Sequence, residues 1–383
     1  MRDSPRAGRW PADPRTLILV TTYPGQPSCT ELERQAAAGE RPRKDYVELA
    51  RLVRGDVVDE RYMTERATPL ARVIARLSGR PAGQVVEAFF RRTGYQHICA
   101  WSERIGLPLA FLHKVARVDR DLILVSSWLS NAPKTFLLRE LRVHTHLRAI
   151  VSYGSAQIEI AATRLAVPRP KLDLALPAVD ERFWQPGPAA AANLICAVGS
   201  SGRDYDTLFT AVRGLDLELH VAVGSGDVPV RALERSLLRA GLPPSAKIRH
   251  LRSRELRRLY SSARFVVVPL QDVEYDAGVT ALTEAMAMGK AVIVTRTRGQ
   301  VDLIQDGKEG IYVRPGDPRA LRTAIEYLVE HPARADQMGR AGRALVEERH
   351  TLDAYVTRLA GIIRGENSLV AWPGRRALAT AER

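Results

Sequence analysis

The chain has 383 residues, 45% of them hydrophobic and 26% charged, which suits two domains of about 150–200 residues and excludes a disordered, collagen-like or low-complexity protein. No stretch reaches the ~18 unbroken apolar residues of a membrane span, and the Arg- and Pro-rich start, residues 1–15, lacks the apolar segment of a secretory signal. The net charge of +14, with only seven lysines among 57 basic residues, attracts anions such as nucleotide phosphates, anionic lipid or nucleic acid, and does not choose among them.

Residues 1–15 have no periodicity and read as a tail. Residues 16–22 (TLILVTT) form a buried-strand run, followed by the turn signal Tyr23-Pro24-Gly25. A weaker strand lies at 57–59. Thr68 is placed to cap a helix with Pro69 at its first position; Leu70, Val73, Ile74 and Leu77 follow at i, i+3, i+4 and i+7, and Gly79 ends it. Arg66, Arg72, Arg76, Arg80, Arg91 and Arg92 cluster around this helix, a pattern that would suit docking on an anionic leaflet. The preferred expectation is plainer: an ordinary helix with its apolar face on the sheet and its arginines in water. Further strands are expected at 97–101, 121–126 and 149–153. His144 and His146 have no carboxylate at metal spacing and read as non-ligands, and His97 reads as structural.

Residues 182–192, with Gln185-Pro186-Gly187-Pro188, are the best linker. A second series follows, with strands at 193–198, 218–223, 247–250, 264–269, 291–295 and 310–313. Helices are expected at 253–260, 279–288 and 319–330, the last with Asp317 as cap, Pro318 first, and Leu321, Ala324, Ile325 and Leu328 on one face. The end, 367–383, reads as a tail. Strands alternating with helices predict an α/β protein of two doubly wound domains hinged near residue 187. Cys29, Cys99 and Cys196 form no C-x-x-C pair, so neither a disulfide framework nor a zinc site is expected. Cys99 and Cys196 lie in apolar stretches and read as small buried hydrophobes in a reducing compartment.

The densest chemical signal is YDAGVTALTEAMAMGK at 275–290. Asp276 and Glu284 stand about two helical turns apart, and Gly278 permits a tight strand-to-helix turn. A helix starting there would point the free N–H groups of Gly278, Val279 and Thr280 into a cleft, an anion site suited to a diphosphate. Taken singly, each residue has a bland alternative: a turn glycine, a capping acid, a solvated helix glutamate.

The run Glu284-Ala285-Met286-Ala287-Met288-Gly289-Lys290-Ala291-Val292-Ile293 resembles the signature of the retaining GT-B glycosyltransferases of family 4. Gly299, Asp302, Gly307, Gly310 and Arg314-Pro315-Gly316-Asp317 continue the pattern, and Val179-Asp180 with Phe183 resembles the stretch that ends the family's first domain. The resemblance spans roughly residues 145–363. It implies two Rossmann-like domains facing each other across a cleft: an acceptor domain, 16–186, and a nucleotide-sugar domain, 187–350. A helix at 351–365 would cross back to brace the first.

By resemblance, Glu284 would hold the donor's ribose. Arg203, on the Gly199–Tyr205 loop that replaces the family's Gly-Arg and Lys motif, would neutralise the diphosphate. Asp276 would orient the sugar, and Asp276 and Arg203 are the candidate catalytic pair. The family's acid there is Glu, so the sugar contact belongs either to Asp276 or to Glu274. The family's second phosphate-binding cation has no clear counterpart. Gly25, Trp101 and Ser102 are candidates for acceptor binding. The implied reaction moves a sugar from a nucleotide-diphosphate donor to a sugar, lipid-linked or small-molecule acceptor with retention, using no cofactor and no metal. A cytoplasmic enzyme, peripheral on the inner membrane face if the arginine-rich helix docks there, is the corresponding expectation. A sugar-nucleotide epimerase of similar build and a degenerate, non-catalytic relative remain alternatives. A nucleic-acid-binding protein is disfavoured because the arginines are dispersed and aromatics make up only 6%.

Overall fold

The computed structural model describes residues 16–23, 25–187, 193–223, 237–238, 241–300 and 302–366. The expected tails at 1–15 and 367–383, Pro24 of the first turn, and the linker's end, 188–192, lie outside the described residues.

Two six-stranded, all-parallel sheets form the frame. The first has the order β2-β1-β3-β4-β5-β6, with β1 at Thr16–Leu19, β2 at Gly55–Val58, β3 at His97–Ala100, β4 at Asp121–Ser126, β5 at Ala149–Ser152 and β6 at Leu172–Leu174. The second has the order β12-β11-β10-β7-β8-β9, with β7 at Leu194–Val198, β8 at Glu218–Ala222, β9 at Ala246–Arg249, β10 at Phe265–Val268, β11 at Ala291–Thr295 and β12 at Gly310–Val313. Helices cover both faces of each sheet, which explains the near-continuous apolar runs LICAV, FVVV and AVIVT. Alternate residues serve opposite cores: Leu17 and Leu19 pack on one face of the first sheet, Ile18, Cys99 and Ile123 on the other. Cys196 is buried in the second domain, so both inner cysteines act as small hydrophobes. The three-residue edge strand β6, only partly buried, had no readable pattern in the sequence.

The helix Leu352–Arg364 lies on the first domain. Leu352, Tyr355, Val356, Leu359 and Ile363 complete the core that holds Ile18, Tyr46 and Val151. Arg43 secures this crossover, its guanidinium donating to Asp180 at 2.8 Å and to Asp353 at 2.6 Å.

The helix Pro69–Ser78 departs from its expected packing. Thr68 caps it as read, but the face of Leu70, Val73 and Leu77 is exposed rather than laid on the sheet. The cause is a small-residue contact on another side. At Gly83, in the following helix Arg80–Arg91, a Cβ would sit 2.6 Å from the Ala75 Cβ and 2.7 Å from the Ala71 carbonyl oxygen. That approach seats Ala71 and Ala75 inward and turns the leucine face to solvent.

Candidate functional site

The carboxyl ends of the two sheets face each other, the usual ligand position in open α/β sheets. Beyond β10 the chain reaches Gly278, which opens the helix Val279–Ala287 with φ +80°. Only glycine fits: a Cβ would lie 2.7 Å from Val268 Cγ1 and 3.0 Å from Leu270 Cδ2 in a backbone region other residues rarely adopt. No side chain caps this helix, so the first-turn N–H groups of Val279 and Thr280 are left for a ligand, with the helix dipole behind them. Thr280 is exposed.

Arg203 reaches the same spot from the loop after β7. Its Nε donates to the Val198 carbonyl and its Nη1 to the Ser201 carbonyl, both at 2.9 Å. The guanidinium lies against the backbone of Gly199, whose φ is +106°, where a Cβ would be 2.3 Å from Nη2; at Gly278 a Cβ would be 3.5 Å from Nη1. The two glycines thus let an arginine lie beside a helix start. Burial lowers the pKa of this group, yet an arginine stays charged in a protein.

Glu284, on the helix that Gly278 opens, accepts a hydrogen bond from the Tyr260 hydroxyl at 3.0 Å. Burial pushes its pKa up to about 7, opposed by the Tyr260 bond and by the charge of Lys44. Lys44 belongs to the first domain, and burial lowers its own pKa. Its loop is held across the cleft by Arg254, which donates to the carbonyls of Gly39 and Ala38 at 2.7 Å each.

The two acids proposed for the sugar occupy different surroundings. Glu274 pairs with Arg164 at 2.9 Å and Arg298 at 3.3 Å, and the Arg164 hydrogen bond holds its pKa down. Its carbonyl accepts from Gln157 Nε2 at 2.6 Å, and the next residue, Tyr275, packs on Trp128 with centroids 5.0 Å apart. Asp276 instead turns inward. Its Oδ2 is buried without a partner, and a Cβ on Gly154 of the first domain would fall 2.3 Å from its Oδ1. Burial, and then the charge of Asp302, raise its pKa to about 7. Asp302 accepts from the Ser155 N–H at 2.6 Å and hydroxyl at 2.7 Å. The domains therefore meet at Asp276, whose Oδ2 is enclosed there without a hydrogen-bond partner.

The first-domain candidates are more scattered. Gly25, φ +80°, stands in an exposed turn after β1 with nothing within 4 Å of a Cβ. Trp101 donates its indole N–H to the Tyr153 hydroxyl at 2.8 Å and packs near Tyr355, so its contacts brace the crossover helix. Ser102 caps the helix Glu103–Val115, its hydroxyl accepting from Arg104 N–H at 3.2 Å. His97 pairs with Asp121 at the far ends of β3 and β4. Lys44, Gly154 and Tyr260 join the site from three separate segments with no spacing in the sequence to connect them, and Asp302, already part of the family-like pattern, meets Ser155 beside them.

Comparison with known proteins bears on the fold and on the second domain. Residues 194–331 match the family model "Glycosyl transferases group 1". A sucrose synthase of Acidithiobacillus caldus is 33% identical over 114 residues, 29% of this chain and 14% of that one. The alpha-D-kanosaminyltransferase of Streptomyces kanamyceticus is 29% identical over 154 residues, 40% of this chain and 38% of that one. The chain thus spans less than two fifths of either relative. Among solved structures, Anabaena Alr3699/HepE with UDP and glucose superimposes with TM-score 0.67 at 16% identity, covering 91% of this chain and 99% of that one. The sucrose-phosphate synthase of Thermosynechococcus elongatus gives 0.69 at 16% identity, covering 92% and 98%. At that identity the likeness is one of fold, the GT-B arrangement of two facing α/β domains.

Proposed function

We propose that this chain, a GT-B protein whose second domain matches the group 1 glycosyl transferases, moves a sugar from a nucleotide-diphosphate donor to a hydroxyl acceptor with retention of configuration. The observation that carries the reading is the meeting of Arg203 with the uncapped helix start at Gly278, between the half-buried acids Asp276 and Glu284. The diphosphate lies on the N–H groups of Val279 and Thr280 and on Arg203, where donors fixed in advance stabilise the negative charge that grows as the glycosidic bond breaks. Glu284, oriented by Tyr260, receives the ribose hydroxyls. Asp276 aligns the sugar, whose reacting carbon becomes cation-like. The acceptor hydroxyl enters from the first domain on the leaving-group side, and the departing phosphate takes its proton. The contacts of Gly154 with Asp276 and of Ser155 with Asp302 join the domains beside the donor, and closure there excludes water during transfer. The scheme calls on no metal or cofactor.

Incubating the chain with α-configured nucleotide sugars and a pool of hydroxyl acceptors, and following products by NMR, tests this. Release of free nucleoside diphosphate matched by an α-linked product is expected. A β-linked product would contradict retention, and an epimerised donor with no diphosphate released would contradict transfer.

A further inference from the structure

We infer that the hairpin formed by the helices Pro69–Ser78 and Arg80–Arg91 docks the first domain on an anionic lipid surface, with its exposed leucine face in the headgroup layer. The inference rests on the reading of the first domain as the acceptor side and gives the acceptor a class: one carried on a lipid.

Three observations support it. The outward face is apolar, with Leu70, Val73 and Leu77 50%, 47% and 77% exposed. Phe90, 58% exposed, stands at the Leu70 end, since Glu87 one turn before it accepts from the Thr68 N–H at 2.9 Å and hydroxyl at 2.8 Å. The helix has ten residues, a length suited to lying in the headgroup layer.

The arginines beside the face outnumber the acids that could neutralise them. Arg66, Arg72 and Arg76 are exposed, and among the described residues none of them makes an ion pair. The acids nearby are already engaged: Glu60 with Arg80, Glu65 with Arg61, and Glu87 with Tyr62 and Thr68. Apolar side chains beside unpaired arginines are what an anionic leaflet binds. A ten-residue helix of roughly 15 Å is ample for shallow insertion.

The hairpin's position joins this face to the cleft. Gln84 Nε2 donates to the carbonyls of Val20 at 3.0 Å and Val58 at 2.9 Å, at the carboxyl ends of β1 and β2. Its neighbour Gly83 packs on Ala75, so the Leu77 end of the helix stands at the cleft edge. A protein docked by this face presents its acceptor opening to the membrane.

Co-sedimentation of the full chain with phosphatidylcholine vesicles, with and without phosphatidylglycerol, tests the inference. Salt-sensitive binding to the anionic vesicles alone is expected. R72Q/R76Q should weaken it about 25-fold, roughly fivefold per arginine, and L70S/L77S about tenfold or more, with thermal melting and nucleoside diphosphate binding unchanged in both. Absence of wild-type binding to anionic vesicles, or variants that bind as the wild type does, would overturn it. Donor binding is read separately, so vesicle binding without it would sink the proposed transfer and leave the docking face standing.

Discussion

Replacing Arg203 with alanine is expected to lower kcat/KM for sugar transfer about 10²–10³-fold, the usual cost of losing one preorganised donor at a developing negative charge. The geometry offers little to replace it. The guanidinium lies between the backbones of Gly199 and Gly278, while Lys44, from the first domain, acts on Glu284 instead. Arg203 also ties its own loop through the carbonyls of Val198 and Ser201, so alanine removes both a charge and a brace. Arg203→Lys separates the two, because lysine keeps the charge but cannot bridge both carbonyls in a planar fork. An intermediate loss of about tenfold is expected for it. Steady-state kinetics with the donor varied measure both; an unchanged kcat/KM in the alanine variant would remove Arg203 from the diphosphate site.

Asp276→Asn is expected to act in opposite directions on stability and on transfer. The folded carboxyl titrates at about 7 against an ordinary value of 3.8, because burial and the Asp302 charge disfavour its ionised form. Between about pH 4 and pH 7 the folded chain therefore keeps a proton that the unfolded chain has released. Stability from this group is present at the acid end, is lost as pH rises through that window, and is flat above it. Asparagine never ionises, so the variant should gain about 2–4 kcal/mol over the wild type at pH 8 and nothing at pH 4. Part of the wild-type slope will persist, since Glu284 is shifted from 4.5 to about 7 with the same sign. Transfer should fall about 100-fold as the sugar loses a charged partner. Urea unfolding at the two pH values, with activity measured alongside, checks both; equal stability of variant and wild type at pH 8 would mean that Asp276 is not a strained buried carboxylate.

The strands were legible because parallel strands covered on both faces must be apolar along their length, and few other segments are. The stretch from Asp276 to Lys290 was legible because a turn glycine, a helix start and spaced acids must be contiguous to work. What could not be read is what the fold brings together from a distance. Nothing local marks Gly154 as the residue whose missing side chain lets Asp276 approach, or Tyr260 as the donor to Glu284. Glu274 and Asp276 looked interchangeable in sequence, yet one meets arginines and the other a bare backbone. The helix at Pro69–Ser78 shows the limit of periodicity most clearly. The spacing of Leu70, Val73 and Leu77 predicts an apolar face, but the direction of that face is decided by the closeness of Gly83 to Ala75.

The most direct test of a nucleotide-sugar site at Gly278 is thermal unfolding with UDP, GDP, dTDP and ADP in parallel. One of the four, at about 100 times its dissociation constant, should stabilise the protein by ~2.7 kcal/mol, and Arg203→Ala should lose that gain. A protein that none of the four stabilises would contradict the account at its centre.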